Sequence, residues 1–447
     1  MLKKITLVLL IGAIGNMSFA ETAKEEISKN PSLFGCMYRA YPGPSHQLTP
    51  APKGKKPFYI SHYGRHGSRW LIGRDSYTYP TKILFSADSA GILTSYGKQL
   101  LDKMIKTRDA STNRLGELTQ LGAQQHREIG GRMYDRFPEV FADSANIEAR
   151  SSVVIRCILS MLNELTEMKA RNPKLKIWTD ASENDMWYIA GGRENLFGKA
   201  WRENRGKRDV EPQWYKEATE KYKTWSSKIT ANDVKTKLFT DTAYMNSHYN
   251  MRKFLHRLKD VVGCNQNLDI RDEIGSLYDV FTLDELYDCY RLENAYWYVN
   301  YGANPWTKGR MPYSQRFLLR DFITKADSCI VLPHPGATMR FGHDTMVCPL
   351  AGLLGLNGLD ETPDSIDFDD IEEKWRLYDF VPMAANIQFI FYRSDVNDKD
   401  VLVKVLLNED EARLTKDIST DMFPYYHWKD VRDYFVSKLD AFEATLD

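Results

Sequence analysis

The sequence predicts an α/β fold: a three-layer core whose mixed, mostly parallel central sheet is flanked by helices, plus a mostly helical inserted subdomain. Three segments carry this prediction, because each has the pattern of a strand, a short loop with charged or imidazole side chains, and a helix. Their predicted strands are residues 58–61, a short run ending near Arg150, and Ala337–Phe341. Ligands of open α/β sheets bind beyond the carboxyl ends of the strands, so we expect the three loops to meet in one crevice.

The first segment, YISHYGRHGSRW, places His66 between two arginines, Arg65 and Arg69. Residues 65–69 are called the RHG loop below. Permanent cations oppose protonation of the imidazole and leave it a neutral nucleophile, while their guanidinium groups match phosphate oxygens. Gly67 is expected to let the backbone approach a ligand closely. The alternative for this pattern is a salt-bridged surface loop.

The second segment, NIEARSSVVIRCILSMLNEL, predicts a strand, a Ser-Ser turn and a helix that carries Arg156 in its first turns. An ordinary cation on the helix surface is the alternative. Upstream, GELTQLGAQQHREIGGRMYDRF predicts a helix that packs on the sheet, with Thr119 as its N-cap.

The third segment, ATMRFGHDTMVCPLAGLLGL, predicts a strand, a loop with His343 and Asp344, and an apolar helix over residues 345–356. Cleavage of a phosphate ester needs a proton for the departing alkoxide, and a carboxylic acid such as Asp344 can supply it. An aspartate at a helix start is otherwise a cap.

The chain divides into four predicted parts. Residues 1–20 are a signal peptide, 21–160 the first part of the α/β core, 161–310 the helical insertion, and 311–447 the second part of the core. The insertion is predicted from its amphipathic, tryptophan- and tyrosine-rich runs. Late strands are predicted at IQFIFYR and VLVKVLLNE.

The first twenty residues predict export. Lys3 and Lys4 precede an apolar run from Ile5 to Ile14, and small residues end at Ala20. The run is too short to cross a membrane, which takes roughly 20 residues, and it is typical of a signal peptide cleaved near Ala20. We expect a periplasmic or secreted protein without a membrane segment.

Net charge and cysteine content narrow the function classes. Without Lys3 and Lys4, 58 basic residues face 60 acidic ones, so the chain has no bulk basic charge for nucleic acid. The six cysteines form no CxxC pair and no zinc-site spacing, and the sequence leaves their pairing open. Cys157 and Cys348 lie in apolar segments, where buried free thiols are expected.

These motifs resemble a known family. RHGSR, ELTQLGAQQ, RSSVVIRC and RFGHDT, in this order, are similar to the histidine acid phosphatase clan and most similar to its multiple inositol polyphosphate phosphatase branch, over residues 58–412. The resemblance implies that His66 is the phosphorylated nucleophile and Asp344 the proton donor. It also implies that the phosphate is bound by four side chains, Arg65, Arg69, Arg156 and His343. No metal, other cofactor or protein partner is implied, only a small phosphate ester.

Two positions depart from the family pattern. Leu71 stands where the motif usually has proline, and His343-Asp344-Thr345 replaces the His-Ala-Glu common in the inositol polyphosphate branch. The resemblance still favours phytate-like substrates, and a broad acid phosphomonoesterase is the enzyme alternative. A phosphate-binding protein without turnover is the non-enzyme alternative; a metallophosphatase would need a carboxylate-rich cluster that the sequence lacks.

Local positive charge gives weak support for a polyphosphorylated substrate. Eight basic residues are candidates for the rim of the cleft, with a solvated surface as the alternative. They are Lys53, Lys55, Lys56, Arg74, Arg202, Arg205, Lys207 and Arg208.

Overall fold

The computed structural model describes residues 21–203 and 210–446. The predicted signal peptide and Arg205, Lys207 and Arg208 lie outside the described residues. Within the described residues, no helix has the length and apolar character needed to cross a membrane.

A mixed sheet forms the centre of the fold, as predicted. Its strands are β1 (Lys56–Arg65), β2 (Asn146–Ser151), β3 (Lys176–Asp180), β4 (Gly336–Gly342), β5 (Asn386–Arg393), β6 (Leu402–Leu407), β7 (Asp410–Glu411) and β8 (Tyr425–His427). The order across the sheet is β3-β2-β4-β1-β5-β6-β7, and β8 pairs with β6. The pairs β3–β2, β2–β4 and β4–β1 are parallel, whereas β5 is antiparallel to β1 and β6 to β5.

Helices surround this sheet. They are α1 (Ala23–Lys29), α2 (Arg74–Ser89), α3 (Ser95–Ala110), α4 (Gln120–Arg136), α5 (Ile155–Arg171), α6 (Met186–Ile189), α7 (Glu194–Glu203), α8 (Gln213–Ser226), α9 (Asp233–Leu238), α10 (Thr242–His248), α11 (Met251–Cys264), α12 (Arg271–Ile274), α13 (Leu283–Tyr301), α14 (Arg316–Ile330), α15 (Asp344–Leu354), α16 (Leu377–Phe380) and α17 (Trp428–Glu443). Short 3₁₀ helices, such as Pro31–Tyr38, connect several of them.

Alternating apolar side chains give the sheet two buried faces. In β5, Phe389 and Phe391 contribute to the larger core, while Ile390 and Tyr392 point to the smaller core on the other face. This period of two is the expected strand pattern. The smaller core is closed by α4 and α5, whereas α14, α15 and α17 contribute to the larger one.

The helix that we predicted after Thr119 forms as expected. The Thr119 hydroxyl accepts a hydrogen bond from the Gly122 amide at 3.2 Å and so satisfies one of the free N–H groups at the start of α4. Ile129 and Met133 are buried, and Met133 belongs to the smaller core. This cap matters for the site, because the first turns of α4 lie against the RHG loop.

One strand lies inside the segment predicted to be mostly helical. The short strand β3 pairs in parallel with β2 at the edge of the sheet, and none of its five residues is fully buried. An edge strand with little buried surface lacks the alternating pattern by which a strand is recognised. The remaining elements of residues 161–310 are helical.

Candidate active site

The carboxyl ends of three adjacent parallel strands bring the three predicted loops together. Arg65 at the end of β1 pairs with Gly342 at the end of β4, and Ser151 at the end of β2 pairs with Phe341. The strand β1 is longer than the predicted residues 58–61. Arg65, the first residue of the RHG loop as defined above, is therefore also the last residue of the strand, and His66 is the first residue after the strand.

His66 is held as a buried imidazole with one free nitrogen. Its side chain is 1% exposed, and its backbone amide donates to the Gly342 carbonyl at 3.0 Å. The ring Nδ1 lies 2.9 Å from the Gly67 carbonyl. A carbonyl can only accept, so Nδ1 carries the hydrogen and Nε2 keeps its lone pair. Burial, together with the cations Arg65, Arg156 and Arg69, holds the pKa of His66 well below its usual value.

Arg65 and Asp344 form a buried ion pair beside His66. The Arg65 Nη2 lies 2.7 Å from Asp344 Oδ2, and the Arg65 side chain is fully buried. The other terminal nitrogen, Nη1, donates to the carbonyls of Met37 and Val381. Burial raises the pKa of Asp344, but Arg65 and Arg69 outweigh it and hold this pKa below the usual range. The resting site thus holds a carboxylate.

The arginines around His66 have N–H groups that make no hydrogen bond to the described residues. The buried Nε atoms of Arg65, Arg69 and Arg156 have no hydrogen-bond acceptor among the described residues. Burial and the nearby Arg69 lower the pKa of Arg156, as expected for cations crowded together. Three guanidinium groups against one carboxylate give the site an excess of positive charge and unsatisfied N–H groups, which a phosphate dianion would neutralise.

His343 faces the ring of His66, with 5.8 Å between the ring centroids. Its Nε2 lies 3.2 Å from the Ser152 hydroxyl, and its backbone amide donates to the Tyr63 hydroxyl at 3.2 Å. Burial and Arg156 lower the pKa of His343 to about 4. The ring is therefore neutral and can donate one N–H.

Three residues around His343 were not predicted as parts of the site. The sequence predicted a turn at Ser152, and it gave Tyr63 no role beyond its place just before the RHG loop. The buried thiol of Cys157 lies 3.8 Å from His343 Nε2. Their roles depend on contacts across 186 or more positions of the chain, so no local pattern marks them. All six cysteines are free thiols, and Cys157 and Cys348 are buried, as expected.

Gly67 serves close packing of the backbone against α4. A Cβ at this position would lie 2.4 Å from the Gly122 carbonyl oxygen and 2.7 Å from the Gly122 Cα. We expected the glycine to make room for a ligand. The group that requires the space is the first turn of α4, which explains why glycine also occupies position 122.

Leu71 replaces the usual proline because its amide is used. The Leu71 N–H donates to the buried Tyr77 hydroxyl at 2.8 Å, and proline has no N–H to give. The Leu71 side chain is buried. This departure from the family pattern is therefore accommodated by a hydrogen bond within the site's supporting structure.

The lysines proposed for the cleft rim lie at the wrong end of the sheet. Lys56 begins β1 and Arg65 ends it, so about 30 Å of extended chain separates them. Lys55 is ion-paired with Asp398 and Asp400. Lys53, Lys55 and Lys56 therefore do not line the site, because the strand that follows them is longer than predicted. Arg74 begins α2, a few residues after the RHG loop.

Comparison with solved structures identifies the fold. The multiple inositol polyphosphate phosphatase of Bifidobacterium longum, in complex with inositol hexasulfate, matches with a TM-score of 0.69 and 18% identity over 91% of this chain and 98% of that one. The phytase from D. castellii matches with a TM-score of 0.62 and 14% identity over 97% and 90% of the two chains. Among curated proteins, none matches the sequence.

A family model matches part of the chain. The model of the histidine phosphatase superfamily (branch 2) matches residues 193–408, which include His343 and Asp344 and begin after the RHG loop. Fold, family match and neighbours together make this protein a phosphatase enzyme. The matched segment, just under half of the chain, is similar to the histidine phosphatase superfamily, branch 2.

Proposed function

We propose that this phosphatase removes phosphate groups from inositol polyphosphates such as phytate through a phosphohistidine intermediate on His66. The observation that carries the proposal is the Nε2 of His66, whose lone pair is free because Nδ1–H is bound to the Gly67 carbonyl. This neutral nitrogen lies beside three arginines with unused N–H groups.

Binding would place the phosphate among the cations. In the proposal, Arg65, Arg69 and Arg156 bind the non-bridging oxygens, and His343 donates its N–H to one of them. These groups offset charge that builds up as phosphorus is attacked. The Nη1 of Arg65 is already bound to two backbone carbonyls, so Nη2, which faces Asp344, is the terminal nitrogen that can bind phosphate. When the dianion binds, this Nη2 therefore leaves Asp344 or contacts both groups.

The reaction would then take two in-line steps. Nε2 of His66 forms a bond to phosphorus while the bond to the ester oxygen breaks, and Asp344 gives its proton to that oxygen. In the second step water attacks phosphorus, the Asp344 carboxylate takes the water proton, and the bond from phosphorus to nitrogen breaks to release inorganic phosphate and neutral His66.

The pKa shifts of Asp344 and His66 favour mildly acidic conditions for these two reaction steps. Asp344 is a carboxylate in the resting site, and a bound phosphate dianion would raise its pKa because adjacent negative charge disfavours ionisation. Acidity supplies the proton that Asp344 needs as a donor. His66 stays neutral under the same conditions because its own pKa lies well below the usual value.

The substrate assignment rests on the neighbours. The most extensive structural matches include a multiple inositol polyphosphate phosphatase and a phytase. A broad-specificity acid phosphomonoesterase is the second candidate. An apolar rim next to Arg156 favours it, because Ile72, Val153 and Ile155 are 55%, 37% and 70% exposed. Such a rim suits a small organic ester better than a densely charged one.

Two measurements test the proposal. Phosphate release from phytate, glucose 6-phosphate and p-nitrophenyl phosphate at several pH values separates the two substrate classes, with the phytate products resolved by position. Acid quenching during turnover of radiolabelled substrate should trap phosphate on the parent enzyme and not on His66→Ala. Turnover by His66→Ala at the parent rate would refute the mechanism, and binding of phosphate without turnover would indicate a phosphate-binding protein.

We also propose that the protein is exported to the periplasm or secreted. The support is the lysine-led apolar segment that ends at Ala20. Fractionation of cells that produce the full-length chain, with N-terminal sequencing of the product, tests this. An intact N-terminus on a cytoplasmic protein would contradict it.

A further inference from the structure

The peptide bond between Arg65 and His66 is held at both of its polar groups. The His66 N–H donates to the Gly342 carbonyl at 3.0 Å. The Arg65 carbonyl lies 3.1 Å from Nε2 of His126, a residue on α4 that is 1% exposed. The orientation of this peptide plane determines the direction of the Cα–Cβ bond of His66. These two hydrogen bonds therefore fix the direction in which the His66 ring points.

A second buried group orients His126. Its Nδ1 lies 2.8 Å from Oε2 of Glu164 on α5, which is fully buried. The Arg65 carbonyl can only accept, so His126 Nε2 carries a hydrogen. A second hydrogen lies between Nδ1 and Oε2, so the pair is either a neutral imidazole with a protonated carboxyl or an imidazolium with a carboxylate. In both states the buried pair is neutral overall.

The neighbouring residues of the RHG loop are held from the same two helices. The Ser68 amide donates to Gln125 Oε1 at 2.9 Å, and the Gly67 amide donates to the Ser160 hydroxyl at 3.1 Å. Side chains of α4 and α5 thus bind three backbone groups of the loop, the Arg65 carbonyl and the Gly67 and Ser68 amides. His126 is the member of this set that binds directly before the nucleophile.

Packing alone does not explain a histidine and a glutamate here. Oε1 of Glu164 is buried without a hydrogen-bond partner among the described residues, and such an atom destabilises the fold. An apolar pair would fill the same space between α4 and α5 without that cost. The polar pair supplies what an apolar pair lacks, a directed N–H to the Arg65 carbonyl.

We propose that His126, oriented by Glu164, is a positioning residue for phosphoryl transfer and holds the His66 ring in line with the scissile bond. The inference rests on the proposed function, since it concerns attack by His66. Loss of the hydrogen bond lets the peptide plane rotate. A displacement of about 1 Å at a reacting atom costs about 100-fold in rate.

Two amides provide a matched test. In His126→Gln the side-chain amide reaches the position of the imidazole Nε2 and keeps the bond to Arg65. In His126→Asn it reaches only the position of Nδ1, so the bond to Glu164 remains and the bond to Arg65 is lost. Met133→Ala, which removes buried volume from the same helix away from the loop, is the control for lost stability.

Rapid-quench measurement of phosphoenzyme formation from p-nitrophenyl phosphate gives the result. His126→Asn should form phosphoenzyme about 10–100-fold more slowly than the parent, and His126→Gln within about threefold of it. Competitive inhibition by inorganic phosphate should change less than about threefold in both, because the arginines are untouched. Met133→Ala should keep the parent rate although it unfolds more easily.

The outcomes separate the two proposals. If the parent enzyme traps no phosphate on His66, the proposed function fails first. If the parent traps phosphate, and His126→Asn and His126→Gln form phosphoenzyme at equal rates, whether fast or slow, the positioning role is refuted. If His126→Asn does not fold, slow phosphoenzyme formation by a folded His126→Gln would refute it equally.

Discussion

Asp344→Asn tests whether Asp344 donates the proton while the arginines bind the phosphate. In the resting site Asp344 lies 2.7 Å from the fully buried Arg65. Asparagine keeps the size of the side chain but can neither give a proton nor balance the cation. The substitution should therefore change the chemistry, the affinity for phosphate and the stability of the fold in three distinguishable ways.

The expected magnitudes follow from these contacts. Loss of a general acid costs about 10²–10⁴-fold for alkyl phosphates, whose leaving alkoxide needs the proton. Aryl phosphates should lose much less. A carboxylate about 4 Å from a phosphate charge opposes it by up to about 4 kcal/mol at a partly buried site, so inorganic phosphate should bind at least about tenfold more tightly to the variant at neutral pH. Without phosphate, an unpaired Arg65 should cost about 3–5 kcal/mol of stability.

The assay compares glycerol phosphate and p-nitrophenyl phosphate as substrates, with inorganic phosphate as inhibitor and as a stabilising ligand in thermal unfolding. Asp321→Asn is the control, because Asp321 Oδ2 lies 2.5 Å from Nε of the buried Arg340, a strand residue outside the site. The control should lose stability without a change in leaving-group dependence. Equal slowing of both esters in Asp344→Asn, with no gain in phosphate affinity, would refute the reasoning.

Three further predictions concern the surroundings of the site. Burial lowers the pKa of His62 to about 3, so the stability that its neutral ring contributes is intact above pH 6.5 and declines as the pH falls. The parent should therefore lose about 2 kcal/mol more unfolding free energy between pH 7 and pH 5 than His62→Leu does. Parallel pH dependences of parent and variant in urea denaturation would contradict this. Gly67→Ala should lower kcat/KM for p-nitrophenyl phosphate about 100-fold, because its Cβ would lie 2.4 Å from Gly122 O; an unchanged value would show that the loop can move without cost. Leu71→Pro should lose about 1–3 kcal/mol of stability by leaving the buried Tyr77 hydroxyl without its donor, and a melting temperature equal to the parent's would refute the role of that amide.

Much of the fold could be predicted because its signals are local. The alternation of Phe389, Ile390, Phe391 and Tyr392 specifies a strand with two buried faces, and Thr119 marks the start of α4 through its own side chain. Edge strand β3 and the full length of β1 could not be predicted, because their hydrogen bonds are made with distant strands and their side chains lack a clear period. The assignment of Lys53, Lys55 and Lys56 to the cleft was wrong for that reason.

By itself the sequence determined which chemical groups are present: an imidazole between arginines, an acid after a second histidine, and a glycine directly after the first histidine. Only the tertiary structure decided how they act together. The strand register places Arg65 next to Gly342, and the fold pairs Arg65 with Asp344, turns Nδ1 of His66 toward Gly67, and brings His126 to the Arg65 carbonyl. Each of these depends on hydrogen bonds and burial, which arise only when distant segments exclude water together.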